Sequence, residues 1–207
     1  METIAILIPT YNNETTIKRA IESALNQTYK NLIIIVLNDA STDNTAEVVQ
    51  EIIKDNPNVY YFENENNMGR GYSRNKIMDI SLTRLSCWLD ADDYMDENKI
   101  ARQYEFFLNN NDCDFLATPM KIFFNDGKID SCGSTYEKIK EVTLENLIQV
   151  NHIPHPTVMF KTLLAKALRF NDSKKVDEDW DFYIRLYILG YKVHVLTDEL
   201  YYYNMKA

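Results

Sequence analysis

The chain has 207 residues and carries 22 basic against 31 acidic side chains, a formal charge of −9, with 45% of its residues hydrophobic. That length suits one globular domain, residues 1–207, and the composition excludes a chain that is disordered over most of its length. The negative balance excludes functions that rest on neutralising a nucleic-acid backbone or an anionic membrane surface, while a small anionic ligand stays compatible.

Ile4–Ile8 is a short continuous apolar run, the pattern of a strand buried on both faces, and Pro9 ends it. From Asn13 to Leu25 the residues Ile17, Ala20, Ile21, Ala24 and Leu25 recur with helical spacing. Leu32–Leu37 reads as a second buried strand, followed by the turn-rich Asn38-Asp39-Ala40-Ser41-Thr42-Asp43. Thr42 or Asp43 then caps a helix carrying Ala46, Val49, Ile52 and Ile53. Val59–Phe62 makes a third strand, Tyr72–Leu82 a third helix and Ser86–Leu89 a fourth strand, which runs straight into Asp90-Ala91-Asp92-Asp93. A fourth helix is expected from about Glu97 to Leu108.

This alternation predicts right-handed βαβ units, a mostly parallel central sheet and flanking helices. Ligands bind such sheets at the carboxyl ends of the strands, where Thr10-Tyr11-Asn12, Asp39 and Asp90-Ala91-Asp92 all fall.

The second half breaks the rhythm. Phe115–Phe124 and the residues from Ile129 read as a hairpin turning at Asp126-Gly127, and a short helix follows near Leu144–Val150. A strand over Thr157–Phe160 comes next, then a helix opened by Asp177–Asp181 and closed by Gly190, then late strands at Lys192–Leu196 and Leu200–Tyr203. Cys87, Cys113 and Cys132 form no CxxC pair and read as free thiols of a reducing compartment. With no apolar stretch long enough to span a bilayer and no secretory pattern at Met-Glu-Thr-Ile, a cytoplasmic protein is expected.

The acids are uneven, with five in the eight residues Asp90–Glu97 and four in the five residues Asp177–Asp181, and like charges so crowded need compensation. On the residues alone, Asp90-x-Asp92 after a buried strand is either a site for a divalent cation or a loop that caps the next helix. Arg74 either contacts phosphate through its planar fork or pairs with a structural carboxylate, and Asp39 alone reads as a turn former. His152 and His155 serve either loop packing or acceptor contact, with no ligand set for zinc beside them.

Taken in order, Ile8-Pro9-Thr10-Tyr11-Asn12, Asn38-Asp39-Ala40-Ser41-Thr42-Asp43, Asn67-Met68-Gly69-Arg70-Gly71-Tyr72-Ser73-Arg74-Asn75, Leu89-Asp90-Ala91-Asp92-Asp93 and Glu178-Asp179-Trp180-Asp181 make a specific set. In this order and spacing the chain resembles the family 2 inverting glycosyltransferases of the GT-A fold, over about Thr3 to Tyr203. The resemblance implies an α/β domain with a nucleotide-binding half at about 1–110 and an acceptor half at about 111–207.

It also implies transfer of a hexosyl or N-acetylhexosaminyl group from a nucleotide sugar, a UDP-sugar, to a glycan, lipid-linked or glycoprotein hydroxyl, with Mn²⁺ or Mg²⁺. Pro9, Thr10 and Tyr11 would pack on the base and ribose, Asp39 would accept a hydrogen bond from the uracil ring, and Gly69 would allow close backbone approach. Arg74 would meet the phosphates or base, Asp90 the ribose side, Asp92 the metal, and Asp179 would be the catalytic base. Asp93 would cap the following helix or support the site, Asp181 would pair with Arg185, and Trp180 would face the core.

Relatives often carry a glycine-containing turn where this chain has Ser81–Ser86, and often extend beyond the position of Ala207 into further domains, subunit contacts or membrane-associated segments. The alternatives are a non-catalytic domain that binds sugar nucleotides or glycans, and a nucleotidyltransferase on a similar sheet. The latter would want a Gly- and Lys/Arg-rich loop after the first strand, and Thr10-Tyr11-Asn12-Asn13-Glu14 is not one.

Overall fold

The computed structural model describes residues 2–124, 128–131 and 142–205. The first strands and helices follow the apolar pattern closely: β1 (Ile4–Thr10), α1 (Ile17–Leu25), β2 (Leu32–Asn38), α2 (Thr45–Ile53), β3 (Val59–Glu63), α3 (Arg70–Ile80) and β4 (Leu85–Trp88). Then come β5 (Tyr94–Met95), α4 (Lys99–Asn109), β6 (Phe115–Ala117), β7 (Met120–Phe124) and β8 (Ile129–Ser131). The rest is α5 (Leu144–Gln149), a 3₁₀ turn at His155–Thr157, β9 (Met159–Lys161), α6 (Thr162–Leu168), α7 (Glu178–Ile188), β10 (Val193–Val195) and β11 (Tyr201–Met205).

The main sheet has the strand order β10-β6-β9-β4-β1-β2-β3. Every pairing in it is parallel except those of β9, which runs antiparallel to β4 and β6. A smaller sheet, β5-β11-β7-β8, stands beside it. Side chains alternate across the central strand. Ile4, Ile6 and Ile8 join the core under α1, α2 and α4, while Ala5 and Leu7 join the core under α3, α6 and α7. Both faces are covered by helices, so β1 and β2 must be apolar at nearly every position. Each such side chain contributes roughly 1.5–3 kcal/mol on leaving water.

Three expectations need correction. Phe115–Phe124 is not one strand: β6 belongs to the main sheet, and the chain crosses at Thr118-Pro119 to enter the small sheet as β7. The hairpin is formed by β7 and β8, and its expected turn at Asp126-Gly127 lies outside the described residues, as does Cys132. Thr157 closes a 3₁₀ turn, and β9 begins two residues later. Asp93 caps no helix, because α4 starts only at Lys99. Where relatives place a glycine turn, hydroxyls close the connection instead: Ser81 Oγ lies 3.1 Å from Ser86 Oγ, and Thr83 Oγ1 donates to the Leu85 carbonyl at 2.8 Å.

Asp93 is wholly buried and ties the loop after β4 to β11. Tyr201 Oη accepts from the Asp90 amide at 3.1 Å and donates to Asp93 Oδ2 at 2.9 Å, while the Asn204 amide donates to Asp93 Oδ1 at 2.8 Å. Burial, with the charge of Asp90 behind it, pushes the Asp93 carboxyl up to about 8. Tyr201→Phe removes the shared hydroxyl and leaves a buried acid short of a donor. A loss of about 1–3 kcal/mol in urea unfolding is expected, with the far-ultraviolet spectrum unchanged.

Candidate active site

The carboxyl ends of β1, β2 and β4 open on a cleft of about 370 Å³. Pro9, Thr10, Tyr11, Asp39, Arg74, Asp90 and Asp92 all line it, together with Asn13, Arg70, Ser73, Ala91 and Tyr203. Of the residues expected at the site, Gly69 and Asp179 are not part of this lining.

The loops after β1 and β2 are laced together by side chains. The Asn12 amide donates to Ser41 Oγ at 2.9 Å, the Thr42 amide to Asn12 Oδ1 at 2.8 Å, and the Glu14 amide to Asp43 Oδ2 at 3.0 Å. Burial works against the Asp43 carboxylate, yet the Thr45 hydroxyl and the backbone amides of Glu14, Thr45 and Asp43 hold it below its ordinary range. The Ser-Thr-Asp run after β2 therefore ties down the loop that follows Tyr11, whose side chain is half exposed.

Asp39 is buried at the end of β2, where its amide donates to the Thr10 carbonyl at 2.8 Å. Its Oδ1 accepts from Asn64 Nδ2 (2.6 Å) and the Met68 amide (2.9 Å), and its Oδ2 from the Gly69 amide (2.8 Å). Gly69 stands just before α3 with φ of 87°, so glycine is required there, and its N–H is spent on Asp39. Gly71 is small for another reason. A Cβ there would meet Asp172 Cα at 3.0 Å and the Asn171 carbonyl oxygen at 3.1 Å, because the segment before α7 packs on the first turn of α3.

That packing joins Arg74 to Glu178. Arg74 Nη1 lies 2.5 Å from Glu178 Oε1, both side chains are nearly out of solvent, and Arg74 Nη2 reaches toward Asp90 Oδ1 at 3.9 Å. Arg70, largely exposed, also approaches Glu178 Oε1 at 3.4 Å. The structural-partner reading of Arg74 is thus realised, while the same guanidinium lines the cleft. Asp179 follows on α7, half-buried, with Oδ2 accepting from Asn151 Nδ2 at 3.3 Å.

Burial first, then Asp92 and Asp179, push the Asp90 carboxyl up to about 6 against the pull of Arg74, so Asp179 stands within electrostatic reach of the cleft acids. From the far side, Arg19 Nη2 donates to the Asp92 carbonyl at 2.6 Å.

Asp181 pairs with Arg185 at 2.8 Å, and Trp180 is partly buried with Nε1 donating to the Leu147 carbonyl at 2.6 Å. His155 is packing rather than surface: it sits among Trp88, Phe170 and Tyr183, with Nδ1 3.0 Å from Tyr183 Oη. Sequence reasoning gave no role to Glu178, Arg70, Asn64, Tyr201 or Tyr203. Glu178 and Arg70 lay inside quoted motifs, but nothing in the pattern marked Asn64 or the two tyrosines.

An open α/β sheet with acids and arginines at its strand ends is the architecture of the GT-A glycosyltransferases. The chain belongs to glycosyl transferase family 2, whose sequence profile matches residues 5–169, and is a glycosyltransferase enzyme. An uncharacterised glycosyltransferase of Methanocaldococcus jannaschii is 30% identical over 205 residues, 98% of this chain and 70% of the relative. The Escherichia coli UDP-Glc:alpha-D-GlcNAc-diphosphoundecaprenol beta-1,3-glucosyltransferase is 40% identical over 106 residues, 51% of this chain and 41% of the relative. The crystal structure of S. aureus TarS 1–349 in complex with UDP superposes with a TM-score of 0.81 at 26% identity, covering 99% of this chain and 61% of that one. Among the described residues no helix is long and apolar enough to cross a membrane.

Two stability predictions follow from the packing behind the cleft. Gly71→Ala forces two backbones apart and is expected to cost about 1–3 kcal/mol in chemical unfolding. Burial, then the charges of Arg74 and Arg70, hold the His155 imidazole well below its usual range. The unfolded chain takes up that proton near pH 6.5 and the folded chain does not, so the His155 contribution is full above about 6.5 and is lost as pH falls. In His155→Gln the loss of unfolding free energy between pH 7.5 and 5.5 is expected to shrink by about 1 kcal/mol.

Proposed function

We propose that this enzyme transfers a sugar from a UDP-sugar to a hydroxyl of a glycan, lipid-linked or glycoprotein acceptor, with inversion at the anomeric carbon. The observation that carries the reading is the convergence of Asp39, Asp90, Asp92, Arg74 and Tyr11 on one cleft, with Asp179 beside it. Residues from about 1–110 would hold the donor, and those from about 111–207, which carry Asp179, would face the acceptor. The complex of S. aureus TarS with UDP and the UDP-Glc in the name of the Escherichia coli relative support a uridine donor. Tyr11 would offer its ring to the base, Pro9 and Thr10 the floor, and Asp39 an acceptor to the base edge. Gly69 would act by keeping the backbone close behind Asp39.

In the proposed step Asp179 takes the proton of the acceptor hydroxyl as its oxygen bonds to the anomeric carbon. The bond from that carbon to the diphosphate breaks on the opposite face, and Arg74, with Arg70 near it, faces the departing charge. A divalent cation, Mn²⁺ or Mg²⁺, would be held by Asp92 with Asp90 beside it. The fit lies in the donor set: crowded carboxylate oxygens, with Asp90 raised to about 6, are the hard ligands such ions favour. Among the described residues no group of three or more His, Cys, Asp or Glu side chains is arranged for a metal, so ligand oxygens would complete the shell. When bound, the ion would neutralise charge on the leaving diphosphate.

Transfer from a panel of UDP-sugars with Mn²⁺ tests this. Asp179→Asn is expected to cut kcat by about 10²–10⁴-fold while leaving the UDP-induced rise in Tm intact. Asp92→Ala is expected to abolish the part of that rise that depends on Mn²⁺. Full activity in Asp179→Asn would refute the base assignment, and a Tm indifferent to every nucleotide sugar would refute the donor class.

A further inference from the structure

A carboxylate offers about four acceptor positions, two on each oxygen. On Asp39 the described residues fill three. Oδ1 takes both Asn64 Nδ2 and the Met68 amide, and Oδ2 takes the Gly69 amide. The two backbone donors are fixed by the start of α3. The Asn64 amide is fixed by its other partners: its second N–H points to Ser73 Oγ at 3.1 Å, and its oxygen accepts from Lys76 Nζ at 2.6 Å. An ammonium has no lone pair, so turning the amide over would set N–H against ammonium and oxygen against carboxylate. Asp39 and Asn64 are each only 4% exposed, and Asp39 lines the cleft while Asn64 stands behind it. What a ligand meets is one remaining acceptor position, on Oδ2.

We propose that Asn64 is a specificity-determining positioning residue: by saturating Asp39 Oδ1 it leaves a single acceptor, which admits a base presenting one ring N–H and rejects one presenting two adjacent donors. This rests on the reading of the cleft as a nucleotide site with Asp39 at the base. Uracil offers one imide N–H flanked by carbonyls. Guanine offers a ring N–H and an exocyclic amino group side by side, a pair that suits both oxygens of a free carboxylate. With Oδ1 already filled, the amino group would be buried without an acceptor. Cytosine and adenine present a ring lone pair at that edge and meet the carboxylate with like charge.

The test measures affinities of the full chain, with Mn²⁺, for UDP, N3-methyl-UDP, GDP and inosine diphosphate. Inosine diphosphate has the size of GDP without its amino group, so the purine pair removes shape from the comparison. In the wild type, N3-methyl-UDP is expected to bind at least about tenfold more weakly than UDP, and inosine diphosphate about tenfold more tightly than GDP. In Asn64→Ala and in the near-isosteric Asn64→Leu the preference for inosine diphosphate over GDP disappears or reverses, while UDP still outbinds N3-methyl-UDP. A merely structural Asn64 would weaken all four ligands alike.

The proposal is overturned if wild-type protein binds GDP as tightly as inosine diphosphate, or if wild type and variants treat the two purines identically, including excluding both. If neither variant folds, the wild-type ratio decides. If N3-methyl-UDP binds as well as UDP, Asp39 does not meet the base and the underlying reading falls with the proposal. A retained UDP preference with an unmoved purine ratio overturns the role of Asn64 alone.

Discussion

Arg74 and Glu178 are almost without solvent contact, and their 2.5 Å ion pair joins the N-terminal turns of α3 to the first turn of α7. The first element carries the arginines of the cleft, and the second carries Asp179. Breaking a buried pair from one side leaves an uncompensated charge, which typically costs about 3–5 kcal/mol. The two turns are therefore held in one relation, and the donor and acceptor sides of the proposed reaction are fixed by the same contact. Gly71 makes that contact reachable, since a side chain there would collide with the backbone at Asn171 and Asp172. The glycines on either side of Arg70 serve different ends: Gly69 supplies a backbone angle and Gly71 supplies clearance.

A second constraint holds the loop of Asp90 and Asp92. The loop leaves β4 and would be free to splay under its own charge, yet Asp93 is drawn inward to β11 through Tyr201 and the Asn204 amide. Burial first, then the charge of Asp90, raises the Asp93 carboxyl to about 8, which lessens the negative charge this acid adds beside Asp90 and Asp92. The small sheet thus has a purpose in the site. It anchors the acidic loop from below and places Tyr203 on the cleft wall.

The first half of the fold was legible because strands buried on both faces and amphipathic helices leave unambiguous periods in the chain. Ile4–Ile8 and Leu32–Leu37 are such strands, and α2 follows Val49 and its neighbours. The second half was harder for a physical reason. Phe115–Phe124 is mostly apolar on both sides of Thr118-Pro119, so hydropathy alone does not show that its two halves enter different sheets. Thr162–Leu168 is seven residues long, too short for a period to show, and it forms α6 through contact with α3 and β9. Tyr94–Met95 is a strand of two residues defined entirely by β11.

At the site, acids at strand ends could be read from position alone, whereas partners could not. Asn64 reaches Asp39 from another strand end and is itself held by Lys76 of α3, and Tyr201 reaches Asp90 across 111 positions of sequence. Cys87 and Cys113 are buried free thiols, and burial pushes Cys113 up to about 12.

The formal charge of −9 says little about what this cleft can hold, because its charges are sorted by element. Carboxylates come from the ends of β2 and β4, and guanidiniums from the start of α3, whose N-terminal dipole adds positive potential of its own. An anion placed between them meets arginine and helix on one side and acids on the other, so an anion alone is poorly matched. In the proposed complex a diphosphate carrying a divalent cation would present both signs in the required order, with cation toward Asp92 and phosphate oxygens toward Arg74. The same sorting separates the base end of the cleft from its charged end. At Asp39 three hydrogen bonds from the protein leave the carboxylate with a single directed acceptor, so recognition of a base there, as proposed, would turn on geometry instead of net charge.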